Sequence, residues 1–130
     1  MRRKILIVDD DEFLGHEVKL TLEETGQYEV HCEERSLRAL ESAIVWEPDL
    51  IILDLLMPGM IGTEVAEQLN SHPATRNIPI IFFTILASRE EVEAHAGFIG
   101  GHPFLAKPSK IEEMVSCIEE VLGGPDRRAA

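Results

Sequence analysis

Four unbroken apolar runs punctuate the chain, at residues 5–8, 50–53, 80–83 and 104–106, and each stops at a polar residue. Runs of this length without a polar interruption suit strands buried on both faces, as in a parallel sheet covered by helices. A fifth segment, Tyr28-Glu29-Val30-His31-Cys32, alternates polar with apolar, which places it at a half-exposed sheet edge. Between the strands the spacing turns helical. Residues 12–24 set Phe13, Val18, Leu20 and Leu22 on a mostly helical pattern that Thr25-Gly26 ends. Ser36 is expected to cap a helix running to Trp46, which Pro48 stops. Met57-Pro58-Gly59-Met60 makes a turn, residues 63–69 a third helix, and 73–79 a loop. Ser88 with Glu91, and Ser109 with Glu112, have capping-box spacing for two further helices. The last of these carries Ile111, Val115, Ile118 and Leu122 on one face before Gly123-Gly124-Pro125 ends it.

Strands alternating with helices predict an α/β domain, a doubly wound five-stranded parallel sheet with five flanking helices. Right-handed crossovers and an edge position for the second strand give the order 2-1-3-4-5. The first and third strands then lie side by side where the winding reverses, and ligands of such sheets bind outside the carboxyl ends of the strands. Asp9-Asp10-Asp11, Asp54, Thr84 and Lys107 all stand at such ends, so they are expected to converge.

Length allows one domain with a real core, read as residues 1–124, with 125–130 as a polar tail or the start of a linker. The formal charge of -12 argues against direct contact with nucleic acid, whose phosphates are bound through clustered Lys and Arg. No apolar stretch approaches the roughly 20 residues that cross a bilayer. The amino end has no secretory leader, since residues 5–8 run straight into three aspartates. A cytoplasmic protein with Cys32 and Cys117 reduced is the expectation. His16, His31, His72, His95 and His102 lack metal-ligand spacing and read as surface or packing residues.

The chemistry follows from gathered charge. Two ionised carboxylates about 4 Å apart repel by roughly 4 kcal/mol at an effective dielectric near 20. A divalent cation relieves that, and a small set of hard oxygen donors suits Mg²⁺. Asp10, Asp54 and one backbone carbonyl just past the third strand, that of Leu56, are the expected ligands, with Asp9 acting through a water. Asp11 reads as a helix cap instead. A metal beside a lysine and a threonine describes phosphoryl transfer, which is mostly positioning and charge neutralisation. Asp54 is the candidate nucleophile, accepting the group as an acyl phosphate. Lys107 would neutralise one phosphoryl oxygen and Thr84 would donate a hydrogen bond to another. The Lys107-Pro108 bond is a candidate for the cis form.

Val8-Asp9-Asp10, Leu53-Asp54 with Met57-Pro58-Gly59-Met60, Phe83-Thr84 and Phe104-Leu105-Ala106-Lys107-Pro108 together resemble the receiver domain of two-component response regulators. The resemblance runs from Lys4 to about Leu122 and implies a flavodoxin-like fold. It also implies Mg²⁺-dependent phosphorylation of Asp54 by a sensor histidine kinase or a histidine phosphotransfer protein. The resemblance further implies a switch in which Thr84 moves toward the phosphoryl group and the aromatic at position 104 turns inward behind it. That movement would remodel the surface of the fourth helix, fifth strand and fifth helix, which is also where a homodimer would form. Glu90-Glu91-Val92-Glu93 borders this surface.

The chain departs from the family pattern at several positions. Ile61 stands where Asp is frequent, Ile85 where a small residue follows the switch Thr, and Phe104 lacks a tyrosine hydroxyl. Leu56 and Leu86 cannot orient an attacking water, which implies slow loss of phosphate. Two other readings compete. A phosphatase of the haloacid dehalogenase type would use Asp9 as nucleophile and Asp11 as partner, but Phe13 fills its Thr position. A pseudo-receiver would keep the fold and bind partners without phosphorylation.

Overall fold

Successive side chains of each strand point to opposite faces of the sheet, which explains how the domain is layered. In the computed structural model, described for residues 2–85, 98–99, 101–107 and 109–123, strand β1 spans Arg3–Val8 and helix α1 Glu12–Glu24. Strand β2 (Tyr28–Glu33) leads through a 3₁₀ turn at Ser36–Arg38 into α2 (Ala39–Trp46) and β3 (Leu50–Leu53). Then come α3 (Gly62–Ser71), β4 (Ile80–Thr84), β5 (Phe98–Ile99), β6 (His102–Ala106) and α4 (Ile111–Leu122). Leu6, Val8, Ile51, Leu53, Ile80, Phe82 and Phe104 point to one face, into a core shared with Ala43 of α2 and Val65, Ala66 and Leu69 of α3. Ile5, Ile7, Leu50, Ile52, Ile81 and Phe83 point to the other, against Leu22 of α1 and Met114 and Ile118 of α4. Both faces are covered, so the runs carry no polar interruption.

The sheet order is β2-β1-β3-β4-β6-β5. Its five parallel strands have the expected order 2-1-3-4-5, since β6 is the fifth of them. The sixth strand was not expected. Phe98 and Ile99 pair antiparallel with Pro103 and His102, adding two residues at the edge. β2 is the opposite edge, and its alternation is as read: Tyr28 and Val30 are buried while Glu29 and His31 are exposed. Four α-helices are seen among the described residues. The expected helix after Ser88, with Leu86, Glu90-Glu91-Val92-Glu93 and His95, lies outside them, as do Pro108 and the tail at 125–130.

Three local expectations are corrected. Ser36 does not cap a helix; its hydroxyl is bound to the turn at Pro58 and Met60, and α2 starts only at Ala39. Ser109 does not cap α4 either, because its Oγ donates to the Lys110 carbonyl and Lys110 stands at the cap position without a side-chain bond. In α1, Phe13 and Leu20 face solvent at 84% and 49% exposure, and Leu14, Val18 and Leu22 form the inward row instead. Gly15 is buried on the same side, where the helix passes close to Cys32. Asp11 does cap α1, accepting from Leu14 N at 3.1 Å. α2 ends at Trp46 with Glu47 in a left-handed conformation (φ 55°) ahead of Pro48.

Gly62, the first residue of α3, lies against the end of β3. A Cβ there would sit 2.3 Å from the Asp54 carbonyl oxygen and 2.7 Å from Leu55 Cα. Alanine ordinarily stabilises a helix over glycine by up to about 1 kcal/mol. Overpacking against fixed backbone reverses that sign, so Gly62→Ala is predicted to destabilise by about 1–3 kcal/mol in urea unfolding. A variant as stable as the parent would show that α3 does not press on the Asp54 segment.

Candidate functional site

Strand register delivers the acidic residues to one level. Val8 is opposite Leu53, and Leu53 opposite Phe82, so Asp9 and Asp54 each stand one residue past neighbouring strands. The Asp54 amide donates to the Val8 carbonyl at 3.0 Å, which fixes the two ends together. This is the point where the winding reverses, β1 leading outward to β2 and β3 to β4. On the far side the Lys107 amide donates to the Thr84 carbonyl at 2.9 Å, anchoring the lysine at the end of β6.

Side chains complete the arrangement. One oxygen on each of Asp9, Asp10 and Asp54 lies within 4.8 Å of the other two. Lys107 Nζ reaches Asp9 Oδ2 at 2.6 Å and Asp54 Oδ2 at 3.5 Å, with the Phe83 ring 5.3 Å beneath it. Asp9 Oδ1 accepts from the Asp11 amide at 2.9 Å, so both Asp9 oxygens are engaged. Asp54 Oδ1 accepts from the Leu56 amide at 3.3 Å. Asp9 and Asp54 are buried and Asp10 is exposed. The carboxylates and Lys107 form one side of a cleft of about 440 Å³, whose apolar walls are Leu14, Leu56 and Ile85.

The sequence-expected residues are not all gathered equally. Asp9, Asp10, Asp54 and Lys107 meet in the cleft, and Leu56 lines it. Thr84 is fully buried beside Ala106, and Ile85 rather than Thr84 lines the opening. Phe104 is buried opposite Phe82 on the face toward α2 and α3. Leu14 and Gly62 were not singled out from the sequence. Leu14 follows Asp11 by three residues and so faces the same helix end, a placement the cap assignment could have supplied. The Gly62 contact is tertiary and left no local mark.

The donor set fits a hard divalent cation. Three carboxylates and one ammonium leave two formal negative charges in a partly buried cleft, and all the side-chain donors are oxygen. Asp54 feels this crowding. Burial, then the facing Asp9, push its carboxyl above the ordinary aspartate value, with Lys107 pulling the other way.

Fold and site together define a doubly wound, flavodoxin-like domain with an acidic cleft at its switch point. The chain belongs to the response regulator receiver domain family, whose model matches residues 5–119. It is 31% identical to the DNA-binding dual master transcriptional regulator RpaA of Synechocystis sp., over 95% of this chain and 51% of that protein. It is 35% identical to the phosphate regulon transcriptional regulatory protein PhoB of Pseudomonas aeruginosa, over 92% of this chain and 52% of that one. The chain thus spans about half the length of the curated relatives it matches. Among solved structures, the chemotaxis protein CheY4 of Vibrio cholerae superposes with a TM-score of 0.78 at 30% identity, covering 93% of this chain and 99% of that one. No helix among the described residues is long and apolar enough to cross a membrane.

The raised Asp54 pKa has a sign that can be measured. A carboxyl that binds its proton more tightly folded than unfolded lowers stability as pH rises through the interval between the two values. Asp54→Asn removes that penalty. Without divalent cation it is predicted to raise the thermal midpoint at pH 7, with the gain shrinking to nothing below about pH 4, the ordinary aspartate range. A pH-independent difference, or a lower midpoint at pH 7, would contradict the crowding of Asp54.

Proposed function

We propose that this chain is a phosphoacceptor switch of a phosphorelay, with Asp54 taking the phosphoryl group from a sensor histidine kinase or a histidine phosphotransfer protein. The observation that carries the reading is Lys107 held between Asp9 and Asp54, inside a trio of carboxylates that includes Asp10. In the transfer, an Asp54 carboxylate oxygen forms a bond to phosphorus while the phosphorus–nitrogen bond of the donor histidine breaks, its electron pair staying on the imidazole. Lys107 shifts part of its charge from Asp54 to a phosphoryl oxygen. Thr84, buried before transfer, supplies a hydroxyl to another oxygen once it moves toward the group, and the inward Phe104 packs behind it. Asp10, Asp54 and the Leu56 carbonyl would hold Mg²⁺, with Asp9 acting through water, and the ion would supply charge neutralisation for the transfer.

The domain occupies residues 1–124, with 125–130 as tail or linker, in the cytoplasm. It turns over no diffusible substrate and is at most a weak autophosphatase. The signal leaves through the surface that includes β6 and α4, the same surface through which two copies would pair. DNA binding, named for the RpaA relative, is not carried over to this acidic domain. A pseudo-receiver has less support, since nothing in such a module requires an acidic trio and a paired lysine. The haloacid dehalogenase reading asks Asp9 to attack with Asp11 as partner, but Phe13 fills the Thr position of that pattern and Asp11 caps α1.

Incubation with acetyl phosphate and Mg²⁺, followed by intact mass, tests the proposal. The expected result is the gain of one phosphoryl group, lost in Asp54→Asn and on chelation of the metal. Full phosphorylation of Asp54→Asn would overturn the assignment. The phosphoryl lifetime is a second test. Leu56 is 47% exposed on the cleft wall and offers no polar atom from its side chain to a water. Leu56→Asn is predicted to shorten the lifetime by about an order of magnitude, less than full general-base assistance because the amide orients a water without taking its proton. An unchanged lifetime would mean that water is positioned elsewhere.

A further inference from the structure

The hydroxyl of Ser36 is bound twice to the turn that follows Asp54, across 22 residues of sequence. Ser36 Oγ donates to the Pro58 carbonyl at 2.7 Å and accepts from the Met60 amide at 3.0 Å. At 3% exposure the residue leaves water little chance to compete for either bond. Between the two bonded positions, Gly59 has φ 90°, and a Cβ there would lie 3.2 Å from Ser36 Oγ. The turn is therefore folded down onto the serine. Its backbone is anchored at the two ends, by Asp54 N to Val8 O at 3.0 Å and by Gly62 N to Leu55 O at 2.9 Å.

From this geometry we infer that Ser36 is a positioning residue for the cation site, fixing the turn whose near end carries Asp54 and the Leu56 carbonyl. The inference rests on the proposed role of Asp54 and Leu56 as magnesium ligands. A backbone carbonyl has no rotamers of its own, so its direction is set by the φ and ψ of the loop that carries it. An irregular turn lacks the repeating bonds of a strand or helix, and whatever pins it sets those angles. The Leu56 amide, 3.3 Å from Asp54 Oδ1, ties the carboxylate to the same stretch of chain. Mg²⁺ demands nearly ideal octahedral geometry, so a small drift of this segment weakens binding. Removing partners that orient metal ligands lowers affinity by about 10–100-fold. Ser36 acts through one more link, so a smaller loss of about 3–10-fold is expected, just below that range. Its side chain touches neither ion nor phosphoryl group.

The test uses the full chain carrying Ser36→Ala, Ser36→Gly or Ser36→Thr, titrated with MgCl₂ by calorimetry in the absence of phosphodonor. Amide exchange at Met60 and the rate of acetyl phosphate labelling against Mg²⁺ concentration are measured alongside. Both deletions of the hydroxyl are expected to weaken Mg²⁺ binding by about 3–10-fold and to speed Met60 exchange. The half-saturating Mg²⁺ concentration for labelling moves by the same factor, with the rate at saturating Mg²⁺ within about twofold of the parent. Ser36→Thr keeps the hydroxyl and regains the affinity. Parental Mg²⁺ affinity in a folded Ala or Gly variant whose Met60 amide exchanges faster would overturn the inference and leave the phosphoacceptor reading standing. A parent chain that neither binds Mg²⁺ nor becomes phosphorylated would bring down both.

Discussion

Carboxylates held together at the end of a sheet need a counter-charge, and Lys107 supplies it within the chain. Its ammonium lies 2.6 Å from Asp9 and 3.5 Å from Asp54, over the face of Phe83. Removing such a partner from a mostly buried pair leaves an uncompensated charge, a loss of about 3–5 kcal/mol where it has been measured in buried pairs. One ammonium cannot balance three carboxylates, however. Burial first, and then the facing Asp9 charge, raise the pKa of Asp54. The charge balance of the site is thus left unfinished by the chain itself, which is the condition the proposed cation and phosphoryl group would change.

Backbone, more than side chains, sets the distances at this site. Parallel pairing puts Asp9 beside Asp54 through the bond between Asp54 N and Val8 O, and sets Lys107 beside Thr84 through another. Gly62 lets α3 approach the Asp54 carbonyl more closely than any side chain would permit. Ser36 pins the middle of the intervening turn. Three weak local features therefore act on one segment of about eight residues, the segment that must change least when the charge on it changes most.

Much of this was legible in the sequence because it depends on local pattern. Strands buried on both faces leave unbroken apolar runs, and the edge strand β2 leaves alternation, so order and switch point followed. Residues ending those runs could be placed together before any coordinates. Capping was legible where it stayed local, as at Asp11, and misread where a tertiary partner won. Ser36 and Ser109 both have helix-start chemistry, yet one hydroxyl is taken by the turn at Pro58 and Met60 and the other by the Lys110 carbonyl. Strand β5 was missed although Gly100-Gly101, a two-residue hairpin signal, separates its paired positions. A helical reading of the preceding stretch hid it. Phe13 and Leu20 were counted in the helical pattern of α1 by apolar character alone, while Leu14, Val18 and Leu22 form the row that packs inward.

The cleft combines a charged floor with apolar walls, and that pairing bears on how a switch could work. Leu14, Leu56 and Ile85 limit the water around Asp54 and Lys107, which strengthens attraction and repulsion alike. A ligand shifts a conformational equilibrium only by its difference in affinity for the two states. Moving a population from 1:99 to 99:1 takes roughly 5.5 kcal/mol of such difference. Two charges about 4 Å apart interact by roughly 4 kcal/mol at a dielectric near 20 and by only about 1 kcal/mol in bulk water. The same group added in a fully wetted site would therefore fall short, while in this cleft one or two redirected contacts, such as Lys107 turning from Asp54 to a phosphoryl oxygen, are of the right size. In the proposed switch, the apolar walls that would slow access and hydrolysis would thus also give the added charge its leverage on Thr84 and the packing around Phe104.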